Sequence, residues 1–208
     1  SSGQNGCRVV LGGVFHCAGV VDDAVVLKLN RQRVEFVMAP KMAGANNMCG
    51  WLDTTNKSLL TKSLKNSSSN NYSHHGCPFT VFFSSTASAF GTAGQSSYAM
   101  ANGCLDGLAL ARNLKGGMPT LSVQWGGWGE VGMSEDLGIG PVEGEVFVRP
   151  ADGFPSLDLL LHELTDPEFD NHFKGCNASF GNQILSLSAP AVTNIRDWSS
   201  YSKHDTMF

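Results

Sequence analysis

The chain has 208 residues, 14 Lys and Arg against 18 Asp and Glu, a net charge of −4, and 42% hydrophobic residues. That length suits one domain, or part of one, with a real core. The basic residues are scattered, which argues against a nucleic acid or an anionic membrane surface as partner. No run approaches the ~20 apolar residues of a membrane helix, so no membrane insertion is expected.

In chain order, Val9 to His16 is rich in Val, Leu and Phe but broken by Gly12 and Gly13. Its second half, Val14 to His16, is predicted as a strand, with Ala18-Gly19 as a tight exit beside a ligand. Asn30 is predicted to cap a helix whose apolar positions Val34, Val37 and Met38 have helical spacing. Pro40 interrupts it, and Lys41 enters a second turn with Met42 and Ala43. From Asp53 to Gly76 the composition changes: Lys57, Lys62 and Lys65 lead into Ser67-Ser68-Ser69-Asn70-Asn71. This stretch, about 54–76, is expected to be a polar surface insertion.

Phe79 to Phe83 reads as a buried parallel strand, with Ser84-Ser85 at its end. A turn with Gly91 and Gly94 leads to a helix from about Ser96 to Leu114, stopped by Gly116-Gly117. Its small residues, such as Ala99, Gly103 and Ala109, allow close approach of a neighbour. Thr120 to Trp125 is a further predicted strand, followed by Gly126-Gly127-Trp128-Gly129. Phe154 to Leu164 reads as a helix, Gln183 to Leu187 as a last strand, and 199–208 as a polar tail. The alternation of strands and helices means an α/β fold with a parallel sheet and helices on both faces.

The six cysteines show no C-x-x-C pair and no ligand spacing with His, so no metal is expected and the thiols read as reduced, in an intracellular, cytoplasmic setting. The four Asn-x-Ser sequons read as chance products of Asn/Ser-rich segments. Tyr98 and Asn102, four residues apart, share a helix face. Ser85 ends the preceding strand, and strand ends are where open α/β sheets bind ligands. A hydroxyl, a phenol and an amide converging there suit acid transfer to a carbonyl oxygen. Taken singly, each signal is ordinary: a structural Tyr, a turn Ser, a solvated Lys41, a core His16.

In combination they are not. His16-Cys17-Ala18-Gly19, Val21-Asp22-Asp23, Ala39-Pro40-Lys41, Phe83-Ser84-Ser85, Gly94-Gln95-Ser96-Ser97-Tyr98-Ala99-Met100-Ala101-Asn102 and Trp125-Gly126-Gly127-Trp128 follow one another in this order. The series closely resembles the ketoreductase domain of modular polyketide synthases. Related ketoreductases occur in type I fatty acid synthases, and both belong to the short-chain dehydrogenase/reductase superfamily. The likeness is strong from about Val14 to Met133 and weak from Ser134 to Asp197.

The resemblance implies a partial catalytic domain over 1–198, the C-terminal portion of a Rossmann-like sheet lacking its first strands. The family's glycine-rich phosphate turn is not found in this chain. It further implies Tyr98 as proton donor, Ser85 as partner of the substrate carbonyl, Lys41 as the active-site lysine and Asn102 as the fourth member. Lys41, Tyr98, His16, Ala18, Gly19, Trp125, Gly126 and Gly127 would hold NADPH. Asp22, Asp23, Phe90 and Gln95 would steer the substrate, with Val21-Asp22-Asp23 favouring a D-configured product. The implied substrate is a β-ketoacyl chain on the phosphopantetheine arm of an acyl carrier protein, beside other synthase domains in the same polypeptide. A catalytically inactive remnant and a free-standing short-chain reductase are the alternatives.

The residue types have chemical reasons. Hydride addition to a ketone builds charge on its oxygen, and aimed hydrogen bonds lower that barrier. A phenol of pKa ~10 is mismatched to neutral pH, and an adjacent ammonium is expected to lower it.

Overall fold

Val, Phe, Leu and Trp in short runs build one parallel sheet: β1 (Val14–His16), β2 (Thr80–Ser85), β3 (Thr120–Trp125) and β4 (Ile184–Leu187), in the order β1-β2-β3-β4. The computed structural model describes residues 11–66, 79–138, 140, 147–165 and 184–187. Cys7, Cys77, Cys176 and the 199–208 tail lie outside them. In register, Val14 pairs with Thr80, Thr80 with Thr120, and Ser122 with Ile184. Because all four strands run the same way, their C-terminal ends share one edge, and the connections must cross the faces of the sheet.

Between β1 and β2 the chain forms α1 (Arg31–Met38), a π-turn (Ala39–Ala43) and α2 (Gly44–Asn66). Asn30 caps α1 as expected, its side chain accepting from the Arg33 N–H at 3.0 Å. Proline supplies no N–H, and the ladder reforms with an extra residue: the Gly44 N–H reaches back to the Ala39 carbonyl, five residues away. Pro40 was expected to interrupt the helix; the interruption is this π-turn. The expected polar insertion begins differently. α2 continues through Asn66, with Leu52 buried and Asp53 paired to Arg112 just before the stretch, so residues 54–66 are helical where their composition reads as a surface loop. Residues 67–76 of that stretch lie outside the described ones.

Between β2 and β3 come α3 (Ala87–Phe90) and α4 (Ser96–Leu114), and between β3 and β4 come α5 (Met133–Asp136) and α6 (Pro150–Thr165). The bounds of β1, α4 and β3 coincide with expectation, and β2 runs two residues past Phe83, through Ser85. α6 starts four residues before the expected Phe154.

Strand alternation separates two cores. On one face Phe82 packs with Ala45 and Cys49 of α2 and Leu105 and Ala109 of α4. On the other, Val81, Leu121, Val123 and Trp125 meet Leu157, Leu160, Leu161 and Leu164 of α6. The α4-side residues of β3 are polar, and each has a partner on α4. Thr120 Oγ1 accepts from Arg112 Nε at 3.1 Å, while Ser122 and Gln124 donate to Asp106 at 2.5 and 2.8 Å. Arg112 also makes a bidentate pair with Asp53 at 2.9 and 3.0 Å, which ties α4 to α2.

Candidate active site

At the shared strand edge, the π-turn, the end of β2 and the first turns of α4 converge. The π-turn directs Lys41 inward, where it is 3% exposed; its Nζ donates to the Phe83 carbonyl at 2.8 Å and lies 5.8 Å from the centroid of the Tyr98 ring. Burial holds the Lys41 pKa down to about 8, partly offset by the nearby Cys17 and Asp106. Two ammonium hydrogens remain beyond the bond to Phe83. At Gly19, a Cβ would come within 3.1 Å of Lys41 Cε and 3.4 Å of Nζ, so glycine keeps that side of the ammonium clear.

Tyr98 and Asn102 share one face of α4. Asn102 is fully buried: its Nδ2 donates to the Tyr98 carbonyl at 2.8 Å, and its Oδ1 has no partner among the described residues. Ser84 Oγ donates to the Asn102 carbonyl at 3.3 Å, fixing α4 against β2. Ser85 Oγ accepts from the Ala87 N–H at 3.2 Å, which holds the hydroxyl at the strand end. The expected lowering of the phenol by Lys41 does not occur. Burial pushes the Tyr98 pKa up, hydrogen bonding by Ser85 and Asn102 draws it partly back, and the Asp23 charge raises it further. Tyr98 therefore keeps its proton at neutral pH, the form a proton donor requires.

The other sequence-predicted residues divide into groups. His16 is buried at the end of β1 with its ring edge-on to Phe82; burial lowers its pKa, and its Nε2 has no partner among the described residues. Ala18 is exposed and Gly19 half-buried beside Lys41. Trp125 is buried at the end of β3 against Phe83 and Trp128, while Gly126 and Gly127 follow it in a half-buried loop. A Cβ on Gly127 would lie 2.5 Å from the Phe147 ring, so this loop requires glycine to pair with 147–149.

The proposed substrate-steering loop is clamped from two sides. Asp22 makes a bidentate pair with Arg33 of α1, and Arg33 Nη2 also donates to the Asp23 carbonyl at 3.2 Å. Gln95 Nε2 donates to Asp23 Oδ2 at 2.8 Å, and the Ala24 N–H to the Gly94 carbonyl at 2.8 Å. Phe90 ends α3 and is 56% exposed. Arg33 went unrecognised because a lone Arg on a polar helix face carries no signal. Asp106 had one: it lies a further four residues along the Tyr98–Asn102 face.

Among the described residues no cluster of three or more His, Cys, Asp or Glu could hold a metal, and no helix is long and apolar enough to cross a membrane.

The KR-domain family model matches residues 4–73 and 69–130. The chain is 41% identical over 128 residues to polyketide synthase ThaG of Burkholderia thailandensis, which covers 59% of the chain and 2% of that protein. It is 39% identical over 157 residues to polyketide synthase GfsE of Streptomyces halstedii, covering 73% of the chain and 4% of the relative. Among solved structures, an A-type ketoreductase from a modular polyketide synthase superposes with a TM-score of 0.58 at 32% identity, over 80% of this chain and 33% of that one. The first ketoreductase of the tylosin synthase gives 0.51 at 29%, over 84% and 36%. The chain thus spans a few hundredths of these synthases and about a third of a ketoreductase structure. With its parallel sheet and converging Lys41, Ser85, Tyr98 and Asn102, it belongs to the KR family, the ketoreductase domains of polyketide synthases, in the short-chain dehydrogenase/reductase fold.

Proposed function

We propose that this chain carries the carbonyl-activating half of a β-ketoacyl reductase. In this reading a β-ketoacyl thioester on an acyl carrier protein is reduced, with NADPH, to a D-β-hydroxyacyl thioester inside a larger intracellular synthase. The observation that carries it is the placement of a buried ammonium 5.8 Å from the Tyr98 ring centroid, with Ser85 at the adjoining strand end. The family implies a nicotinamide cofactor, and the residues present fit its reactive end. Lys41 offers two N–H donors to vicinal hydroxyls beside the open side at Gly19, and the loop from Trp125 to Gly127 borders the same edge. His16, Ala18 and Tyr98 complete that rim. When bound, the cofactor supplies the hydride.

The chain's own residues manage the oxygen. Ser85 and Tyr98 hydrogen-bond the carbonyl, and Tyr98 gives up its proton as charge develops there. The Lys41 ammonium then stabilises the phenolate through the short distance between them. Asn102 holds the Tyr98 backbone in place. Asp22 and Asp23, clamped by Arg33 and Gln95, form one wall of the entrance, and Phe90 lies on the other side. Two binding directions over one nicotinamide face differ tenfold for each ~1.4 kcal/mol, so a few such contacts decide configuration.

In this reading the catalytic segment runs over 1–198, with a surface insertion about 54–76. The test is to assay the full-length protein with a β-ketoacyl thioester and NADPH, resolving the product by chiral chromatography. Reductive turnover to the D product is expected. Absence of turnover would make the segment an inactive remnant, and a predominantly L product would overturn the assigned role of Asp22 and Asp23.

A further inference from the structure

Behind the active site, away from any surface a substrate could reach, lies a buried carboxylate that the reduction itself does not use. Asp106 is 6% exposed on α4. Its Oδ1 accepts from Ser122 Oγ at 2.5 Å, and its Oδ2 from Ser88 Oγ at 2.7 Å and Gln124 Nε2 at 2.8 Å. Gln124 Nε2 also lies 3.0 Å from Ser88 Oγ. Ser88 Oγ is in turn 2.7 Å from the carbonyl of Ser85. A buried carboxylate with three donors is expensive to assemble and is sharply placed once assembled.

We propose that Asp106 is a positioning residue of the reductase: through Ser88 it fixes the turn that presents Ser85. This rests on the ketoreductase reading above. Asp106 has two separable links to the site, and the proposal stands on the first. The first is mechanical: β2 ends at Ser85 and α3 begins at Ala87, and the single Ser88 hydroxyl hydrogen, shared between the Ser85 carbonyl and Asp106 Oδ2, ties that turn to α4. The second is electrostatic. Lys41 is faced by His16 and Cys17 from the end of β1 and by Tyr98 and Asp106 from α4. Burial keeps the Cys17 thiol protonated at neutral pH, and His16 is held neutral. Asp106 is therefore the anion that favours the charged lysine in this pocket.

The experiment compares full-length wild type, Asp106→Asn and Ser88→Ala, reading kcat, KM and the pH dependence of kcat. Asp106→Asn is expected to lower kcat about tenfold to a hundredfold, the scale of a misplaced reacting group, with KM within about twofold. Its alkaline limb, set by loss of the Lys41 proton, should move to lower pH. Ser88→Ala should lower kcat without moving that limb. An Asp106→Asn protein that loses thermal stability while keeping kcat and the limb overturns the proposal and leaves a structural carboxylate. If Asp106→Asn does not fold, Ser88→Ala decides alone: unchanged kcat overturns the positioning role. A wild type with no turnover refutes the ketoreductase reading itself, whereas an active wild type with unaffected variants refutes only this inference.

Discussion

The two faces of β3 do different work. Toward α6, Leu121, Val123 and Trp125 make an apolar contact that tolerates small shifts. Toward α4, Thr120, Ser122 and Gln124 meet Arg112 and Asp106 through directional bonds. Hydrophobic burial is insensitive to orientation, whereas a hydrogen bond weakens steeply with distance and angle. Tyr98 and Asn102, the proposed catalytic groups, sit on the helix that packs against the polar face. The difference teaches that this fold draws cohesion from one face and alignment from the other.

The largest break in that comparison is Tyr98→Phe. In the full-length protein it should cut turnover by ~10²–10⁴-fold, the usual worth of positioned proton transfer, with the melting temperature nearly unchanged. Wild-type-like turnover would remove Tyr98 as the acid. Leu121→Ala, on the apolar face, should do the reverse. A buried side chain lost against α6 should cost about 3 kcal/mol in denaturant unfolding while kcat per folded molecule is kept. A matching fall in kcat would show that the two faces are not independent.

Lys41→Met sharpens the contrast within the polar side. The folded pKa of Lys41 is about 8 against 10.5 for the free side chain, depressed chiefly by burial. Between those values the unfolded chain holds more protons than the folded one, so wild-type stability rises with pH across this window. The rise attributable to Lys41 should approach ~3 kcal/mol, and below pH 8 the charged lysine is a net burden. Lys41→Met should abolish the rise, stabilise the protein at neutral pH and reduce turnover. A variant whose stability keeps the wild-type slope above pH 8 would show that Lys41 is not the group responsible.

The sequence made the strands and α4 legible because each combines local pattern with spacing, and the candidate quartet of Lys41, Ser85, Tyr98 and Asn102 through its resemblance to ketoreductases. Asn102 follows Tyr98 by one helical step, and Ser85 ends an unbroken apolar run. The end of α2 was not legible from composition, since Lys57, Lys62 and Lys65 lead into a Ser/Asn-rich run that reads as a surface insertion, and the ion pair of Asp53 with Arg112 joins residues 59 apart in the chain. The pull of Lys41 on Tyr98 was misjudged for a related reason. Spacing shows that charges meet, but burial, which dominates the phenol here, belongs to the assembled fold. Asp106 shares the Tyr98–Asn102 face by spacing, but an Asp on a helix reads as solvated until Ser88, Ser122 and Gln124 are seen to enclose it.

The π-turn has a consequence for how this chain can vary. It amounts to one surplus residue in an otherwise α-helical path, and each residue of an α-helix turns the chain by about 100°. Deleting one residue between Ala39 and Ala43 would let the ordinary ladder close and would swing α1 relative to α2 by roughly that angle. Lys41 could then no longer face Tyr98 while Asn30 still capped a helix beside Asp22. Point substitutions here can be graded in effect, but a single-codon deletion should be all or nothing, so the length of this segment is under tighter constraint than most of its letters.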